Sequence, residues 1–158
     1  MKRLAMVVVS LLVTVVLPSC SSHILRLAEP EISVRTVEVP RARPINATSF
    51  TTVVQVEILN RSSLPLRLQR IELSSVGTGP FNIVLTRRDF NQPIEPSQAM
   101  RFPVWSQASY VGLEETLAQS EGQIMVRGVA IFDTEGGGFR TVFLQRVNTS
   151  ISRPDPKS

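Results

Sequence analysis

Two kinds of hydrophobic pattern divide this chain. After Lys2 and Arg3, the stretch Ala5 to Leu17 is apolar except for Ser10 and Thr14. From Glu31 onward apolar residues alternate with polar ones, the period of a strand with one buried and one wet face. Ile32, Val34, Val37 and Val39 open this region, with a one-residue phase slip between Val34 and Val37; Pro40 and Pro44 then break the chain. Phe50 to Leu59 is the clearest strand, with Val54, Val56 and Ile58 set against Gln55 and Glu57. Asn60-Arg61-Ser62-Ser63 has turn chemistry. Leu64, Leu66 and Leu68 share one face, whereas Ile71 and Leu73 fall on the other phase. That slip predicts a bulge around Gln69-Arg70, or a strand passing from one sheet to another.

The second half continues in the same manner. Gly77-Thr78-Gly79-Pro80 reads as a turn, and Phe81, Ile83 and Leu85 alternate as a short strand. Arg87 to Pro96 is polar and holds two prolines, so it is expected as loop with at most an edge strand at Pro93-Ile94. Pro103, between Phe102 and Val104, lacks an N–H and argues for an edge strand there. Ser109 to Gln119 has helical spacing: Leu113 and Leu117 lie four apart, Tyr110 and Val111 one turn earlier, and Gly122 is a plausible stop. Ile124 to Phe132 and Phe139 to Ile151 flank a glycine-rich turn and predict a hairpin. Arg153 to Ser158 reads as a frayed tail. Seven or so short strands with one short helix imply an all-β, antiparallel β-sandwich spanning residues 31–152.

The apolar run at the front has the parts of a secretory signal over residues 1–19: a basic head, about a dozen apolar residues and a small residue before a cut. It falls short of the roughly 20 residues that span a bilayer comfortably. Leu17-Pro18-Ser19-Cys20 resembles the lipobox of bacterial lipoproteins. The resemblance implies cleavage before Cys20, a diacylglyceryl thioether on its sulfur and acylation of the new amino terminus. Several acyl chains on one residue, each contributing about 0.8 kcal/mol per buried CH₂, would hold the protein at the membrane. Residues 20–30 then read as lipidated cysteine and tether. Ser21 following the cysteine resembles an outer-membrane sorting signal where the organism has two membranes, which would place the domain on the periplasmic side of that membrane.

Processing changes the charge balance. Without Lys2 and Arg3 the mature chain has 139 residues, enough for one domain with its own core, and 15 basic against 13 acidic residues. Lys157 is its only lysine, and the arginines are scattered from Arg26 to Arg153 with few aromatics among them, which argues against nucleic-acid binding. Cys20 is the only cysteine. Once acylated, it leaves no thiol for a disulfide, a metal site or a nucleophile.

Candidate chemistry is sparse. His23, the sole histidine, lies in the tether, so a histidine triad or a histidine-rich metal site has no base to build on. Glu114 and Glu115 are neighbours on the expected helix and point about 100° apart, the geometry of a solvated face. Asp133 and Glu135 beside Gly136-Gly137-Gly138 supply only two charged ligands where calcium takes six to eight oxygens; a plain hairpin is the simpler reading. Arg87 and Arg88 could together grip a carboxylate, phosphate or sulfated group, against a local ion pair with Asp89. Trp105 and Tyr110 could form a ligand platform, against core or helix packing. Asn46-Ala47-Thr48 and Asn60-Arg61-Ser62 match the glycosylation sequon. No cofactor, metal or catalytic group is expected, and the chain reads as a non-enzyme.

From Phe50 onward the order of features resembles the LEA type 2 family, also called the WHy (water stress and hypersensitive response) domain. The landmarks are an alternating strand ending in Asn60, then Leu64-Pro65-Leu66, Ile71 and Leu73, and Ile94-Glu95-Pro96. Phe102-Pro103-Val104, the leucine-spaced segment at Leu113 and Leu117, Gly122, Ile124, Val126, Gly128 and the last hairpin follow. The resemblance implies a fibronectin-III/immunoglobulin-like sandwich and a link to stress tolerance or envelope interactions, with no catalytic motif to carry over. The expectation is a lipid-anchored envelope protein whose domain binds or protects envelope components. It would touch the membrane through Cys20 and an envelope protein through an edge strand, such as the one near Phe102. The alternative is an accessory structural subunit of an envelope transport or assembly complex.

Overall fold

The computed structural model describes residues 28–40, 48–77, 79–110 and 122–151. These residues are all-β. Eight strands follow in order: β1 Glu31–Val39, β2 Ser49–Leu59, β3 Leu66–Val76, β4 Phe81–Ile83, β5 Thr86–Ile94, β6 Ala99–Tyr110, β7 Gln123–Thr134 and β8 Gly137–Ile151. They lie side by side as β4-β6-β2-β1-β8-β7-β3-β5. Every pairing is antiparallel except β1 with β8, where Val37–Val39 run parallel to Thr149–Ile151. That short parallel ladder makes one continuous sheet.

The sheet curls into a barrel-like form, and its two ends meet through side chains. Arg88 of β5 donates to the Trp105 carbonyl of β6 at 3.4 Å, and Phe90 packs edge-on against Phe102 with ring centroids 5.1 Å apart. Ile83 N–H of β4 donates to the Ser75 hydroxyl of β3 at 2.7 Å. Inside the curl lie the alternating apolar residues of every strand, among them Val54, Val56 and Ile58 of β2, Leu68 and Ile71 of β3 and Phe132 of β7, all fully buried.

Both phase slips in the sequence are β-bulges. One falls between Val34 and Thr36, where the β1–β2 register shifts. The other falls between Leu68 and Arg70, where β3 shifts against both β5 and β7. A bulge adds one residue to one strand, so Val34 and Val37, and likewise Leu68 and Ile71, all reach the core. The hairpin expected around Gly136 is also present, with Thr134 opposite Gly137 across a two-residue turn. Gly128 allows the β7–β8 pair to close on an aromatic ring. A β-carbon there would stand 2.3 Å from Phe143 Cζ and 2.7 Å from the Glu72 carbonyl oxygen.

Three expectations are corrected. Arg87 to Pro96, expected as loop, is mostly the edge strand β5. Its backbone finds partners in β3 while most of its side chains stay in water, so composition alone hid it. Leu85 does not extend the strand of Phe81 and Ile83; it is 58% exposed, because the chain turns after Val84 to begin β5. Ser109 and Tyr110, the expected start of a helix, are the last residues of β6, paired with Ser49 of β2 and with β4. The rest of that segment, residues 111–119, lies outside the described residues, as do residues 1–27 and the tail.

Asn60 ties four pieces of this fold together. Its Nδ2 donates to the carbonyls of Leu64, at 2.8 Å, and Ile94, at 3.0 Å. Its Oδ1 accepts from the Ser62 N–H at 2.9 Å and lies 2.7 Å from the Ser62 hydroxyl. Its backbone bonds Gln98 and Ser97 across the β5–β6 turn. The side chain is fully buried, and all of its hydrogen-bonding capacity is used. Asn60→Asp keeps the shape but turns an acceptor toward two carbonyls. We expect a loss of about 3–5 kcal/mol in urea unfolding at neutral pH, the cost of an unpaired buried charge. The new carboxyl would have a raised folded-state pKa, so the variant should regain stability as pH falls from neutral through that raised pKa, complete the recovery by the ordinary aspartate range, and lose it again as pH rises.

Candidate functional site

The charged residues of the sheet are arranged by strand alternation. Core-facing positions are apolar, so arginines and carboxylates collect on the outer faces and meet across neighbouring strands. On β1, β2 and β6, Glu57 accepts from Arg35 Nε at 2.9 Å and from Arg101 Nε at 2.9 Å. These two donors, Arg35 first, hold the Glu57 carboxyl below the usual range. On β3 and β5, Arg70 Nε bonds Asp89 at 2.6 Å and Arg70 Nη1 lies 3.7 Å from Glu72, which also holds Arg87 at 3.3 Å. At the start of β1, Arg61 pairs with Glu31.

The candidate anion pair is therefore divided. Arg87 and Arg88 are adjacent on β5, opposite Glu72 and Ile71 of β3 respectively, and adjacent strand residues point to opposite faces. Arg87 lies in the outer ion-pair network and Arg88 reaches toward β6. Asp89 is bonded to Arg70, the directly opposed residue, so a local pair with its sequence neighbours does not form. The structure does not bring the two guanidinium groups onto one site.

Trp105 and Tyr110 are also separated. Tyr110 packs on Phe50, with ring centroids 4.7 Å apart, and Phe50 meets Phe81 at 5.2 Å. Trp105 stands on the outer face of β6 and is 54% exposed, which corrects the expected core position. The five-residue spacing puts the two rings on opposite faces of one strand. Asp133 accepts from Gln69 Nε2 at 2.9 Å at the hairpin, and no group of three His, Cys, Asp or Glu side chains among the described residues could hold a metal ion. The buried, fully bonded Asn60 amide is closed to modification in the folded chain. Cys20, Leu17, Pro18, Ser19, His23, Asn46, Glu114 and Glu115 lie outside the described residues.

Two open edges remain. Strand β6 pairs with β2 along its whole length but with β4 only at Ala108–Tyr110. The Gln107 carbonyl accepts from Val84 N–H at 2.9 Å and the Trp105 carbonyl accepts from Arg88. By alternation Pro103 turns its backbone nitrogen to the same open side, which is where a missing N–H costs nothing. The second opening lies below the β1–β8 ladder, where the two strands splay apart. There the Gln145 side chain substitutes for a ladder, accepting from Val34 N–H at 2.7 Å and donating to the Ile32 carbonyl at 2.8 Å. A cleft lined by Glu29, Ile32, Thr141, Phe143 and Gln145 follows it. Sequence reasoning did not single out Gln145, and a lone glutamine in an alternating strand carries no signal that could have found it.

No family model matches the chain, and no curated protein matches it. Among solved structures, the chain is similar to the solution structure of AT1g01470 from Arabidopsis thaliana, with 13% identity, a TM-score of 0.57 and coverage of 82% of this chain and 87% of that one. A solution structure described as a late embryogenesis abundant (LEA) protein, At2g46140.1, has 11% identity, a TM-score of 0.47 and coverage of 80% and 75%. A crystal structure of a protein from Archaeoglobus fulgidus has 10% identity and a TM-score of 0.46, covering 81% of this chain and 99% of that one. At these identities the likeness concerns the fold, and only the first is close enough to bear on it.

The Glu57 cluster gives a pH prediction. A carboxyl whose folded-state pKa is depressed contributes stability above its unfolded pKa, and that contribution is lost as pH falls through the folded one. Glu57→Gln should therefore be less stable than the parent at neutral pH. The two denaturation midpoints should converge at acid pH and in high salt. A constant offset from neutral to strongly acid pH would show that the two arginines do not act on the charge.

Proposed function

We propose that this chain is a lipid-anchored, non-catalytic envelope protein. Its LEA-2-like domain, read as an open sandwich whose halves share the β1–β8 edge, binds or protects a neighbouring envelope component under desiccation or other stress. The observation that carries the reading is Cys20: the only cysteine of the chain, at the end of a signal-like apolar run and eleven residues before β1. The landmark order from Asn60 to the last hairpin supports the LEA-2-like part. In this reading the acyl chains hold Cys20 in the leaflet, the tether frees the domain, and the open side of β6 receives an extended segment of the partner by strand addition.

Intact mass and membrane partitioning of the expressed chain, beside Cys20→Ala, test the anchor. The parent is expected to carry acyl mass and to stay with the membrane, while the variant loses both. An unmodified, soluble parent would end the tethering idea. Crosslinking from Gln107→Cys on β6 in the envelope then searches for the strand partner.

A further inference from the structure

The outer face of the β7–β8 hairpin differs from the other charged faces. Its side chains form four directly opposed pairs: Met125 with Arg146, Arg127 with Leu144, Val129 with Val142, and Ile131 with Arg140. Val142 and Leu144 are 64% and 58% exposed. None of the eight is acidic. Among the described residues Arg127, Arg140 and Arg146 have no ion pair, whereas Arg35, Arg61, Arg70, Arg87 and Arg101 each meet a carboxylate. Glu72, opposite Val129 on β3, is already engaged by Arg70 and Arg87, and Asp133, at the turn end of the same face, accepts from Gln69; Glu29 lines a cleft with Arg140 but forms no ion pair with it. Three guanidinium groups outside any ion pair thus alternate with aliphatic side chains on one face of the hairpin.

The chain reaches the domain beside this surface. Glu29, Pro30 and Ile32 line the same cleft as Thr141 to Gln145, so the segment leading back to Cys20 leaves next to Val142. The nine residues from Cys20 to Glu29 span at most about 30 Å when extended. Anchoring at Cys20 would therefore keep this face within reach of the leaflet and at high effective concentration to it.

We propose that the β7–β8 face docks on the anionic headgroups of the leaflet that holds the acyl chains, an inference that rests on the anchored reading above. Val142 and Leu144 enter the headgroup boundary, and Arg127, Arg140 and Arg146 bind lipid phosphates while their alkyl stems lie along the apolar residues. The tether supplies proximity, and the face supplies orientation, turning the domain so that one side is held down. The proximity that the anchor supplies favours a lipid plane over an acidic peptide.

The test uses the acylated protein in phosphatidylcholine vesicles with and without phosphatidylglycerol. Leu144→Cys is labelled with a polarity-sensitive fluorophore, and Gln107→Cys on the outer face of β6 serves as control. The label at 144 is expected to shift to an apolar signature only with phosphatidylglycerol, and to revert in high salt; the label at 107 should not shift. Arg127→Gln, Arg140→Gln and Arg146→Gln should each lower the docked-to-free ratio about fivefold. A water-like signal at 144 on anionic vesicles overturns the proposal, and so does an equal shift on pure phosphatidylcholine. A shift produced by added polyglutamate and not by lipid would assign the face to an acidic protein and overturn it as well. Intact mass reads the anchor separately. If Cys20 carries no acyl group, the anchored reading falls, and the same label in a Cys20→Ala background still reports whether the face meets anionic lipid.

Discussion

The ends of β2 and β5 and the approaches to β3 and β6 are referred to a single residue, Asn60. Asn60 donates from two N–H groups into the carbonyls that end β5 and the β2–β3 loop, and it accepts from Ser62 on the other side. Two carbonyls on one flank and an N–H on the other leave its amide only one orientation. No other side chain of this size supplies donors and acceptors in that arrangement: aspartate has no donor when ionised, leucine has neither, and serine is too short. Burial without water makes the match obligatory, because an unpaired polar group there would cost the full desolvation penalty. With that point held, β2, β3, β5 and β6 can enclose a core although β5 is almost entirely polar in sequence.

Closure of the curl follows a different logic from pairing within it. Ladders bind neighbours along β4-β6-β2-β1-β8-β7-β3-β5, but the three meeting lines are joined by side chains: Arg88 to Trp105 and Ile83 to Ser75 between the ends, and Gln145 across the splay of β1 and β8. Side-chain joints leave main-chain groups on β6 and β8 without strand partners. Arg88 and Pro103 restrict the pairing that the first can accept, as edge strands require.

The charges show the same economy. Acidic residues on β2, β3 and β5 meet arginines one strand away, so those faces are neutralised internally. Among the described residues Arg67 and Arg88 bond neutral oxygens, whereas Arg127, Arg140 and Arg146 gather without ion pairs on the β7–β8 face, which adjoins the point where the described chain enters the domain. The proposed docking face thus lies beside Glu29 and Pro30, while Trp105 and the open side of β6 belong to another face.

Alternation along Phe50–Leu59 and in the last hairpin was legible in the sequence, because the two-residue period of a half-buried strand is imposed locally by the pleat. Even the two bulges could be read, since a slipped phase in an apolar run has few other physical causes. The signal-like run and the solitary Cys20 belong to the sequence alone. Strand β5 was hidden, because an edge strand earns its place from a neighbour's hydrogen bonds rather than from its own apolar residues. Arg87 and Arg88 appeared as one basic pair, yet the strand between them sends one outward to Glu72 and the other toward β6. The partners of Asn60, the bridging role of Gln145 and the set of unpaired arginines join residues up to 113 positions apart. Such groupings have no periodic trace. Tertiary folding alone decided them, because only the register between strands determines which side chains face each other.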